Sequence, residues 1–212
     1  MRHLLRNCLV FALSALAAIA ASGCARRDDA AIAARYGLGG DVLGAPLERP
    51  DFVLTDTTGA RFDFRKQTAG TTTLLFFGYT NCPDVCPGHL AAIADGLRAA
   101  PPEVRDRVRV VFVGVDARRD TPERMRTWLD HFDASFIGLS GSDDELAAAQ
   151  SAALVPSAFV DATWEGGYTL AHAAYVLVYT PDDRAHIRYP FGTKASVWTH
   201  DLGILAEGWP TR

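Results

Sequence analysis

Two apolar runs constrain this chain more than anything else in it. Thr73-Leu74-Leu75-Phe76-Phe77 and Val108-Arg109-Val110-Val111-Phe112-Val113-Gly114-Val115 have strand length and are rich in β-branched and aromatic residues. Between them Leu90, Ile93, Ala94 and Leu97 fall at i, i+3, i+4 and i+7, and Pro101-Pro102 stops the pattern. Strand, helix, strand in this order reads as a parallel pair joined by a right-handed crossover.

The rest of the chain extends that unit. Asp51–Thr55 and Arg61–Phe64 read as short strands around the turn Asp56-Thr57-Thr58-Gly59. Thr121 caps a helix with Pro122 at its first position and an apolar stripe of Met125, Trp128, Leu129 and Phe132. Ser135–Leu139 reads as a short strand. Ser142 and Glu145 form a capping box for a helix over Asp143–Ala153. From Leu154 to Leu170 no period stands out, although Trp164-Glu165-Gly166-Gly167-Tyr168 signals a surface hairpin. Tyr175–Tyr179 and Ala185–Tyr189 read as strands across the turn Pro181-Asp182-Asp183-Arg184, and a last helix covers Lys194–Glu207. The expected fold is therefore α/β and thioredoxin-like: a mixed central sheet with helices on both faces, plus an N-terminal β-hairpin and a middle insertion.

Cys82 and Cys86 stand on the turn between the first long strand and the following helix, where open α/β sheets tend to place their chemistry. Pro87 suits the first helical position, which puts Cys86 at or near the N-cap. Free N–H groups and the positive end of the helix dipole then favour thiolate over thiol. Around such a turn the two Cα atoms lie roughly 6 Å apart, within disulfide reach. The same spacing lets two thiolates hold one metal ion. Three uses stay open from these residues alone: a structural disulfide or buried thiol pair, a redox dithiol, and a metal dithiolate.

His172 precedes the strand at Tyr175, on Thr169-Leu170-Ala171-His172-Ala173-Ala174. In thioredoxin-like folds the loop entering this strand lies against the dithiol, and ordinary disulfide oxidoreductases place a cis-proline there. Here the nearest upstream proline is Pro156. Two sulfurs and one imidazole make a soft, low-coordinate set that suits Cu(I), and Cu(II) if another ligand joins. Zn(II) would also accept it, with a fourth ligand. His89 is expected to point to solvent, and His131, His186 and His200 to lie on the surface or at edges.

Residues 1–23 read as a signal peptide of lipoprotein type. Arg2, His3 and Arg6 form a positive start, and Leu9–Ala21 is an apolar or small-residue run, short of the ~20 residues of a membrane span. Ala21-Ser22-Gly23-Cys24 resembles a lipobox, which makes Cys24 the lipidation site and residues 24–46 a lipid-anchored tether rich in Ala, Gly and Arg. The folded domain is then 47–210, exported, periplasm-facing and anchored to the membrane through its N-terminal lipid. The formal charge is −4. A mildly acidic chain without a basic stripe argues against nucleic acid as a partner.

At this point the chain resembles the Sco/SenC family of copper proteins from about Pro50 to Leu205. Gly78-Tyr79-Thr80-Asn81-Cys82-Pro83-Asp84-Val85-Cys86-Pro87 fits the family's Cys-x-x-x-Cys-Pro signature, Val115-Asp116-Ala117-Arg118-Arg119-Asp120-Thr121-Pro122 its second marker, and His172 its third. Ala171 and Ala173 stand where the family usually has Asp and Ser or Thr, and the turn after Tyr179 lacks the usual Gly. The resemblance implies copper bound by Cys82, Cys86 and His172. It further implies delivery to, or thiol reduction at, the dinuclear copper site of cytochrome c oxidase subunit II or another copper-accepting protein. Asp84 would tune the loop's charge, and Arg118 and Asp120 would form a docking surface. A metallochaperone needs His172. A thiol-disulfide reductase, in which Cys82 and Cys86 are the catalytic dithiol and cycle through a disulfide, does not. A peroxiredoxin-like peroxidase fits less well, since Thr80 is two residues before Cys82 rather than three.

Overall fold

A computed structural model describes residues 29–211. In chain order the elements are α1 (residues 29–36), β1 (Asp41–Glu48), β2 (Val53–Asp56), β3 (Arg61–Asp63), α2 (Phe64–Thr68), β4 (Thr72–Gly78) and α3 (Val85–Ala99). Then come α4 (Pro102–Arg105), β5 (Val108–Gly114), α5 (Pro122–Leu129), β6 (Ile137–Ser140) and α6 (Asp143–Ala152). The chain closes with β7 (Phe159–Trp164), β8 (Gly167–Ala171), β9 (Tyr175–Tyr179), β10 (Arg184–Pro190) and α7 (Ala195–Leu205).

Eight strands form one mixed sheet, ordered β1-β10-β9-β4-β5-β6-β2-β3. β4, β5 and β6 run parallel, and the flanking strands pair antiparallel. All seven residues of β4 are buried. Successive side chains of a strand point to opposite faces. Leu74 and Phe76 accordingly join α3, α5 and α7 in one core, while Leu75 and Phe77 join the β2–β3 hairpin, α2 and α6 in the other. This is the thioredoxin-like α/β fold read from the sequence. The early turn is closed by the Asp56 carboxylate, which accepts from the Thr58 and Ala60 N–H groups at 2.8 and 3.1 Å, with Gly59 at φ +87°. The Ser142–Glu145 capping box is reciprocal, as expected.

Three expectations need correction. Residues 29–46 are not a tether. α1 is helical, and β1 extends the sheet by pairing with β10. Asp29 is fixed by Trp209 Nε1–H at 3.0 Å and by His186 Nδ1 at 3.1 Å, and the Gly39 N–H donates to Asp201 Oδ2 at 2.8 Å. An Ala-rich helix with little amphipathic pattern, followed by an edge strand that tolerates Gly44 and Pro46, reads as linker from composition alone. Second, His186 is buried rather than superficial. Its ring stacks on Trp209 at 4.5 Å, and its Nε2 meets Asp182 at 2.9 Å. Third, α3 begins at Val85 rather than at Pro87, so Pro87 is its third residue and Cys86 its second rather than its N-cap. Proline is tolerated there because the first-turn N–H groups have no intrahelical partner. Residues 1–23, read as a signal peptide, and Cys24, read as the lipidation site, lie outside the described residues. Among those described, no helix is long and apolar enough to cross a membrane.

The turn after Tyr179 keeps its shape without glycine. Asp183 takes φ +61°, its N–H donates to Thr180 O at 3.0 Å, and its carboxylate accepts from Arg49 Nε at 2.7 Å. Arg49 is fully buried, and its remaining donors reach Thr68, Thr73, Thr71 O and Thr180 O. A buried guanidinium satisfied this completely joins β1's end to the β9–β10 turn.

Candidate metal centre

β4 ends at Gly78, and the chain turns at once over Tyr79–Asp84 into α3. The Cys82 N–H donates to Tyr79 O at 3.1 Å, which closes the turn. Cys86 sits in the first turn of α3, and its own N–H donates to Cys82 Sγ at 3.4 Å. Both thiols are free; Cys82 is half-buried and Cys86 buried. The Cys86 thiol and N–H, with His172 and the Asp84 N–H, stabilise charge on Cys82 and lower its pKa to about 3. Burial, followed by the neighbouring Cys82 thiolate, pushes the Cys86 thiol strongly upward. The pair is thus one thiolate at the surface and one thiol beneath it. The sequence expectation of a lowered thiol pKa holds for Cys82 and is reversed for Cys86, because the helix start that favours charge on one sulfur buries the other.

His172 arrives from the opposite side, on the link between β8 and β9. Its Nε2 lies 3.5 Å from Cys86 Sγ, and Nδ1 lies 3.2 Å from Ala173 O. With the proton on Nδ1 donated to that carbonyl, Nε2 faces the sulfurs with its lone pair free. A main-chain carbonyl therefore does the orienting that the absent polar neighbours, replaced here by Ala171 and Ala173, would do. The imidazole is also boxed edge-on by Phe76 and Tyr79, at centroid distances of 5.9 and 5.6 Å. Cys82 Sγ, Cys86 Sγ and a His172 ring nitrogen all lie within 4.8 Å of one another. A shallow cleft lined by Tyr79, Cys82, Pro83, Asp161, Leu170 and His172 opens over them.

Other residues of the signature hold this arrangement. A Cβ on Gly78 would stand 2.8 Å from both Cys86 Sγ and Phe112, so only glycine lets the buried sulfur sit against the strand. The Tyr79 hydroxyl accepts from the Leu170 N–H at 3.3 Å, tying the dithiol turn to the segment before His172. Neither role carries a periodic or spacing signal in sequence. Asp120 is not a docking residue. It is buried, its carboxylate accepts from Thr80 N–H at 3.0 Å and Thr80 hydroxyl at 2.7 Å, and burial raises its pKa. Arg118 is exposed, as expected. His89, expected in solvent, is buried against Phe76 and Phe191, with Nε2 3.4 Å from Ala174 O. It faces the His172 segment but is not among the converging donors. His131 and His200 are exposed.

Against known proteins, residues 41–207 match the family model described as SCO1/SenC. The chain belongs to the SCO1/SenC family. A Stutzerimonas stutzeri relative with a provisional copper-binding designation is 36% identical over 155 residues, 71% of this chain and 74% of its own length. The match to the SCO2-like protein RC0895 of Rickettsia conorii is 35% identical and spans 46% of that protein. Among solved structures, Bradyrhizobium japonicum ScoI with copper bound aligns with TM-score 0.67 and 36% identity over 75% of this chain and 99% of its own. The apo Sco1 protein of Thermus thermophilus aligns with TM-score 0.64 and 32% identity over 78% and 92%.

Proposed function

We propose that this protein is an exported copper metallochaperone that serves assembly of the dinuclear copper site of cytochrome c oxidase. Copper, as Cu(I) or Cu(II), is its cargo, and Cys82, Cys86 and His172 are the donors. One observation carries this reading: three soft donors from segments some ninety residues apart converge within 4.8 Å. The donor set fits copper chemically, with two sulfurs, one imidazole nitrogen and no carboxylate in the cluster. The copper-bound Bradyrhizobium relative and the family membership support it. Cys82, half-buried beneath an open cleft, is the donor an incoming acceptor thiolate can reach first. Subunit II of the oxidase, or another copper-accepting protein, is the proposed acceptor. Export through residues 1–23 and lipidation at Cys24 complete the proposal; labelling with a fatty acid that disappears in Cys24→Ala tests that part.

The experiment on function is metal content and X-ray absorption of the reduced protein beside His172→Ala. The expected result is sulfur and nitrogen scattering in the parent, with loss of the nitrogen contribution and of copper retention in the variant. Copper binding unchanged in His172→Ala would overturn the assignment.

A second reading rests on the inequality of the thiols. As a reductase, the Cys82 thiolate would attack a partner disulfide and release one partner thiolate. Cys86, after giving up its proton, would then attack Cys82 Sγ, free the second partner thiol and leave Cys82–Cys86 as a disulfide. That reaction requires both cysteines and leaves His172 dispensable, so the same His172→Ala protein separates the two.

A further inference from the structure

The β7–β8 hairpin leads directly into His172, yet it shares no backbone ladder with the eight-stranded sheet. Side chains fasten β8 to the body instead. Arg119 Nη1 donates to Tyr168 O at 3.0 Å, and the guanidinium carbon lies over the Tyr168 ring, 3.6 Å from its centroid. Arg119 Nε is ion-paired with Asp116, whose other oxygen accepts from the Tyr168 hydroxyl at 2.7 Å. The Asp116 side chain is only 2% exposed, so this pairing is shielded from solvent. Three residues form a closed ring of contacts in which the guanidinium binds a carboxylate, a carbonyl and an aromatic face together. A lysine cannot do all three.

We propose that Asp116, Arg119 and Tyr168 are a latch that sets the position of His172 over the two sulfurs. Tyr168 and His172 are four residues apart along extended β8 and its exit, a segment with little slack at about 3.3 Å per residue. Displacement at Tyr168 is therefore passed on to the imidazole. Arg119 and Asp116 are positioning residues, and the inference rests on the reading of His172 as a ligand.

The test uses the purified protein in two backgrounds, parent and His172→Ala, with Arg119→Ala, Arg119→Lys and the milder Tyr168→Phe. Copper is titrated against a chelator, and amide hydrogen exchange is read on the metal-free protein. Arg119→Ala and Arg119→Lys are expected to weaken copper binding about tenfold in the parent, and less than about twofold where His172 is already absent. Tyr168→Phe is expected to give a smaller loss with the same dependence on His172. In all three, exchange at the Leu170 N–H rises while β4 and β5 stay protected. Equal losses in both backgrounds, or Leu170 protection unchanged, would overturn the latch. If His172→Ala alone leaves binding intact, the ligand reading fails by itself, and the Leu170 exchange still decides whether Arg119 and Tyr168 hold the hairpin.

Discussion

At Cys82 and Cys86 the same side chain is held in two chemical states by a single helix start. The depressed pKa of Cys82 keeps it thiolate above its folded value, and the charge is lost only as pH falls through that value near 3. Alkylation by iodoacetamide is therefore expected to fall on Cys82 alone, at a rate nearly flat from pH 8 to 5, with Cys86 unmodified in the folded protein. Mass spectrometry of the labelled peptides checks this, and a rate that climbs tenfold per pH unit would contradict it. At Gly78 the prediction is steric. Gly78→Ala forces Cys86 Sγ and Phe112 apart and is expected to cost about 1–3 kcal/mol in urea unfolding. The two cysteines are legible from residue type and spacing, and His172 from its place before the late strand of a thioredoxin-like fold. Gly78 and His89 are not, because what decides them is contact with Phe112 and Phe191, which lie far away along the chain.

The elements divide by the kind of signal they carry. β4, β5, α3, α5 and α6 have apolar periods or end caps, and each stands close to where its residues predict. α1, β1 and the β7–β8 hairpin lack such signals. β1 is an edge strand, and all six residues of β7 are exposed, so no buried face imposes alternation on it. The site inherits that division, with its sulfurs on the readable strand–turn–helix and its imidazole on the link after a hairpin that only its turn, Trp164 to Tyr168, marks in the sequence. A change confined to a capped helix should therefore leave the donors alone. Ser142→Ala breaks the capping box and is expected to lower stability by about 1 kcal/mol, measured by urea unfolding, with copper affinity unchanged.

Across the whole molecule, the two ends of the described chain meet at one imidazole. Asp29 near one end and Trp209 near the other both engage His186, which also contacts Asp182. Burial acts against it, yet hydrogen bonds from Thr180 and His186 hold Asp182 below the usual carboxylate pKa. A depressed carboxylate contributes stability that is full above its unfolded pKa, near 3.9, and lost as pH falls through the folded value. Asp182→Asn is accordingly expected to lower stability at pH 7 and to lose less than the parent between pH 5 and 3, by thermal melts across that range. Removing residues 1–40, and with them α1, is expected to lower the melting temperature and raise exchange along β10.

This junction lies at the end of the sheet where β9 finishes beside Thr73, whereas the donors crown the other end, at Gly78. The five strand steps from Thr73 to Gly78 amount to roughly 17 Å. The chain enters the described fold at Asp29, and so at the pole remote from the sulfurs. A surface gripping the molecule at that pole would leave the sulfurs and the imidazole facing outward, free to meet a visitor head-on.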